Sequence, residues 1–129
     1  MELQQLILVI DTAKNLEGLR RDMIANAEEY KARLTDGATA PEVQALIIAN
    51  NEQYKKRLGW VKDLYDNHTT AFTTALKAIG ITIAHTLAIY QELKAITEAT
   101  DTADLTTEAK ITGASNWVLN NLDSHLTIW

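Results

Sequence analysis

AIGITIAHTLAIY, residues 78–90, is a run of thirteen positions without a formal charge, bracketed by Lys77 and Glu92. Three structures suit it: a membrane span, the spine of a helical core, or a site built around His85. Spanning a bilayer takes about 20 predominantly apolar residues. Extension of the run meets Lys77 on one side and Gln91 with Glu92 on the other, while Thr82, His85 and Thr86 weaken transfer into lipid and no flanking basic cluster would orient it. A stable membrane span is therefore not expected. A helix apolar over most of its circumference needs neighbours on several sides, which places this stretch in the middle of a bundle or at a subunit interface.

Helical periodicity continues outward in both directions. Val9, Ala13, Leu16, Arg20, Met23, Ala27, Tyr30 and Leu34 recur at alternating steps of four and three, the spacing of one helix face. Thr35, Asp36 and Gly37 close that helix, because glycine accepts the left-handed conformation of a C-terminal cap. Thr39-Ala40-Pro41-Glu42 opens the next, with a capping threonine, a first-turn proline and a glutamate at the reciprocal capping position. A second stripe runs through Val43, Ile47, Asn50, Tyr54, Leu58, Val61 and Tyr65, and a third through Phe72, Leu76, Ile79, Ile83, Leu87, Tyr90 and Leu93. Between them Asp66 to Thr70 break or kink the chain. The threonine- and acid-rich stretch from Thr97 to Glu108 reads as an exposed connection, and Ile111, Ala114, Val118, Leu122 and His125 form a last stripe. The expected fold is all-α: an elongated antiparallel four-helix bundle with helices at about 3–35, 41–66, 70–97 and 107–126, in a single helical domain over residues 1–129.

Composition narrows the chemistry. The chain has 129 residues, 47% of them hydrophobic, with no cysteine and a net charge of -5. That size and apolar content suit a packed core without disulfide staples, and the missing thiols exclude cysteine nucleophiles and thiolate metal sites. The acidic balance opposes phosphate backbones, so nucleic acid is not an expected partner. Glu2 stands where a secretory signal would carry a basic residue, which suits a mature protein in the cytoplasm or within a virion.

Each candidate site has a plain structural explanation beside it. His85 is the possible pH-sensitive residue, yet it belongs to no HxxH, HExxH or Glu-x-x-His pattern, so no metal ligand set is expected. Lys55, Lys56 and Lys62 interleave with Tyr54 and Trp60 as on a nucleic-acid surface, but helical geometry spreads Lys55, Lys56 and Arg57 across about 200°. Glu98, Asp101, Asp104 and Glu108 form an acidic counterpart without the spacing of a calcium loop; a second expectation is that it meets the basic face of a neighbouring subunit. Arg20 interrupts an apolar stripe, either as an edge residue whose head reaches water or as a polar determinant of helix pairing. Trp117, Ile128 and Trp129 leave an apolar C-terminal region that docks on its own bundle or on another chain. Neither Asp123-Ser124-His125 nor any glycine-rich loop supplies a catalytic constellation, and no cofactor is expected.

These features favour a non-enzymatic structural or assembly protein that packs helices with copies of itself or with another protein. Candidate interface residues are Arg20, Lys55, Lys56, Trp60, Lys62, Trp117, Ile128 and Trp129. The alanine- and threonine-rich, cysteine-free makeup suits a bacteriophage virion or assembly component. Two alternatives remain from sequence: a helical module that binds a partner helix or apolar ligand, and a helical protein that inserts residues 72–90 into a membrane conditionally.

Overall fold

A computed structural model describes residues 3–122 apart from 79 and 81, without the side chains of 4–6, 8–10, 12–14 and 83. Among the described residues five helices account for the fold: α1 (Leu3–Thr35), α2 (Ala40–Asn67), α3 (Thr69–Ala78), α4 (Ile83–Thr102) and α5 (Glu108–Leu122). No strand occurs among the described residues.

The first two helices begin and end where the sequence marks them. Gly37 adopts φ 101 after α1, and the capping box at the start of α2 is complete: Thr39 and Glu42 each accept a hydrogen bond from the other's backbone N–H. The expected third helix, 70–97, is instead two. The opening apolar stretch breaks inside itself, because Gly80 turns to φ 80 with its N–H on the Lys77 carbonyl, and Thr82, in an extended conformation, caps α4 by accepting the His85 N–H at 3.1 Å. Each half then needs cover on one face alone. Phe72, Ala75 and Leu76 of α3 and Thr86, Ile89, Tyr90, Leu93 and Ile96 of α4 are buried, while the outward positions Ala84 and Ala88 are exposed.

The expected exposed connection from Thr97 also needs correction, since α4 continues to Thr102 and Thr97 is buried. Its threonines are compatible with a helix because their hydroxyls donate back to carbonyls one turn earlier: Thr97 to Leu93, Thr100 to Ile96 and Thr102 to Glu98. Once its proton is used in this way, a threonine packs through its methyl group. The connection shrinks to residues 103–107. There Asp104 accepts from the backbone and hydroxyl of Thr106 and from Lys110; the Lys110 ammonium, then Thr106, hold its carboxyl at about 2. α5 begins at Glu108 and is described to Leu122, so the expected extension to 126 lies outside the described residues.

Cross-helix contacts give the directions. Tyr30 lies beside Asn50 and Asn15 beside Arg57, so α1 and α2 are antiparallel. Tyr65 packs near Tyr90 while Lys55 reaches Asp101, so α2 and α4 are antiparallel as well. α5 lies along α1, with Leu122 at Arg20 and Ile111 in the cluster around Tyr30. α3 closes the end opposite the α1–α2 turn, where Phe72, Ala75 and Leu76 join Leu16, Leu19, Leu64 and Leu122. α1 packs most extensively on α5, whereas α4 and α5 touch only slightly. No described helix is long and apolar enough to cross a membrane.

The break at Gly80 gives a direct test. Thr82→Ala removes the cap of α4 and should cost about 1 kcal/mol, and Gly80→Ala should cost about 1–2 kcal/mol because a Cβ disfavours its backbone angle. Urea denaturation checks both. Stability unchanged in both variants would show that the two helices are not separated in this way.

Candidate functional site

Two polar contacts in the α1–α2 seam are the same contact made twice. Asn26 of α1 donates its side-chain amide to the Tyr54 hydroxyl of α2 at 2.6 Å, and Asn50 of α2 donates to the Tyr30 hydroxyl of α1 at 2.8 Å. Both tyrosines are buried. Burial raises the pKa of each phenol, so both stay neutral and keep a proton as well as an accepting oxygen. Each such bond contributes about 1 kcal/mol net, and losing one partner leaves a buried polar group that costs about 1–3 kcal/mol. Either pair is centred on residue 40 in the sequence. Because each helix supplies one asparagine and one tyrosine, the arrangement is locally two-fold, relating one helix to the other.

Its cause is legible in the residues. Ile24 to Leu34 reads IANAEEYKARL and Ile48 to Leu58 reads IANNEQYKKRL, identical at eight of eleven positions. The helices carry a repeated segment, and antiparallel pairing sets the asparagine of each copy against the tyrosine of the other. Equivalent positions are buried: Ala27, Tyr30, Asn51, Tyr54 and, one residue before each segment, Met23 and Ile47. Heptad periodicity does not reveal this; self-comparison at a shift of 24 residues does. Periodicity also put Asn50 on the core stripe, whereas Asn51 is the fully buried residue and Asn50 faces α1.

The copies diverge where their surroundings differ. Asn51 stands where the first copy has Ala27, and its oxygen is 3.5 Å from the Thr100 hydroxyl of α4. Arg57 reaches across to Asp22 at 2.6 Å and to Asn15 at 3.2 Å. Its guanidinium passes over Gly18, where an added Cβ would lie 3.1 Å from it. Arg33, the counterpart in the first copy, stays on its own helix with Glu29 at 2.9 Å.

The interface candidates drawn from sequence are not gathered in one place. Arg20 is partly buried and donates to the Leu122 carbonyl of α5, while Leu19 takes the inward position. Lys55 bridges Glu52 at 3.1 Å and Asp101 at 2.8 Å, so this acid–base contact between α2 and the acidic series is made within one chain. Lys62 pairs with Asp66 at 2.6 Å, and Lys56 is exposed. Trp60 on α2 and Trp117 on α5 remain 40% and 42% exposed. His85 is half-buried in the first turn of α4. Ile128 and Trp129 lie outside the described residues.

A cavity of about 30 Å³ lies where the repeats meet α4 and α5, lined among others by Met23, Ala27, Asn51, Thr97 and Ser115. It has room for about two water molecules, far below the roughly 300 Å³ and upward of small-molecule sites. The Thr97 and Ser115 hydroxyls donate to carbonyls of their own helices, which leaves its wall largely apolar. Among the described residues no group of three or more histidines and carboxylates could hold a metal ion. No protein-family model matches the chain, and neither does any curated protein or solved structure.

Tyr65 contrasts with the paired tyrosines. Its ring meets Phe72 edge-on at 5.2 Å, yet its hydroxyl is buried without a hydrogen-bond partner among the described residues. Tyr65→Phe should therefore stabilise the protein by about 1 kcal/mol, whereas Tyr54→Phe, which orphans the Asn26 amide, should destabilise it by about 1–2 kcal/mol. Chemical denaturation of both variants checks the difference in sign.

Proposed function

We propose that the chain is a non-enzymatic structural or assembly protein that works through helix packing and associates with copies of itself. The observation that carries this reading is the exposure of Leu3 and Ile7, 71% and 48%, one turn apart at the start of α1. Apolar surface of this kind is stabilised when another helix covers it. Ile48, Trp60 and Trp117 extend the pattern to α2 and α5, and tryptophan is favoured at interface hot spots. The cavity volume weighs against a module that encloses an apolar ligand. A virion or phage-assembly setting rests on the alanine- and threonine-rich, cysteine-free composition.

Light scattering tests the reading. The wild type should have a mass of at least twice the 14.4 kDa of one chain, and Leu3→Glu combined with Ile7→Glu should lower that mass with the helical circular dichroism retained. A wild type that stays monomeric at high concentration contradicts it.

A further inference from the structure

We infer that the exposed start of α1 pairs antiparallel with the same segment of a second copy, so that Leu3 of each chain covers Ile7 of the other. The inference rests on the homo-oligomeric reading above and names an interface for it. Leu3 and Ile7 lie one turn apart on one side of α1, and both are exposed. The other large apolar side chains exposed among the described residues, Ile48, Trp60 and Trp117, stand singly, none of them a turn from another. In a second copy, the surface that matches two apolar side chains one turn apart is therefore this pair itself. A two-fold axis makes such a pair complementary to itself.

Charge sets the direction. Asp11 follows Ile7 by one turn and is exposed, as are Asp22 and Glu29 further along that side of α1. A parallel pairing in register stacks each of these carboxylates on its own copy and lays the bundles side by side. An antiparallel pairing centred on residue 5 sets Leu3 opposite Ile7. It also holds the two Asp11 positions about 18 Å apart along the helix axis, beyond the ~8 Å over which exposed charges interact at physiological salt, and it opposes the two helix dipoles.

The place of this segment in the fold suits such a partner. Both Asn–Tyr bonds are centred on residue 40, so Asn67, the last residue of α2, lies level with about residue 13 of α1. Residues 3–12 run about 15 Å past it at 1.5 Å per residue. Antiparallel overlap over that length sets the two bundles end to end and carries the rest of each away from the other. So short an overlap buries little surface, which makes the contact reversible and dependent on concentration.

The chain has no cysteine, so single thiols report the pairing. Both positions are exposed, so Leu3→Cys and Ile7→Cys leave the core intact. Mixed at high concentration and oxidised, the two variants should give the mixed disulfide dimer in about threefold or greater excess over both same-variant dimers combined, because position 3 then faces position 7 of the partner. Random collision gives equal amounts, and parallel pairing gives mainly the same-variant dimers; either result overturns the inference, as does the absence of a disulfide dimer. If wild-type mass by light scattering is still oligomeric in that case, the assembly reading stands and only this interface fails, whereas a monomeric wild type removes both.

Discussion

The reciprocal Asn–Tyr contact between α1 and α2 sets the frame that the other helices use. Apolar stripes alone tolerate sliding, because leucine, isoleucine and methionine at heptad spacing fill a neighbouring groove in more than one register. A buried phenol tolerates it less, since a shift takes its hydroxyl away from the half-buried asparagine at a cost of about 1–3 kcal/mol. Two such pairs, Asn26 with Tyr54 and Asn50 with Tyr30, fix translation and direction together. Buried polar residues that select one register are the best-attested use of such groups.

The remaining helices build on that seam. Asn51, one of the three positions at which the second repeat departs from the first, turns toward Thr100 and gives α4 a polar mark on α2, reinforced by the Lys55–Asp101 pair. Arg20 does the same for α5 by meeting the Leu122 carbonyl from α1. Each hairpin partner thus docks one further helix, and α4 and α5, which touch each other only slightly, are positioned through α2 and α1. The short α3 seals the end with Phe72.

Much of this was readable from the residues. The capping box at Thr39 and Glu42 and the glycine at 37 marked the α1–α2 turn because their chemistry is local. The split of the third helix was missed because Gly80 interrupts a stripe whose apolar members continue on both sides, so periodicity passes over the turn. Thr97 to Thr102 looked like a connection because threonine favours loops and caps; its place in α4 depends on hydroxyls folding back onto their own helix, which composition does not reveal. Asn50 and Asn51 differ by about 100° around a helix, and only the docking of α4 decides which is buried. The duplication of IANxExYKxRL was fully present in the sequence, but a search for heptads is blind to self-similarity at another spacing.

Two double-mutant cycles measure the central contact: Asn26→Ala with Tyr54→Phe, and Asn50→Ala with Tyr30→Phe, each followed by equilibrium unfolding. Reciprocal pairing predicts a coupling of about 1 kcal/mol in each cycle, of similar size in the two. A coupling near zero in either cycle would contradict it, because the two contacts would then not be acting as one two-fold lock on the register of α1 and α2.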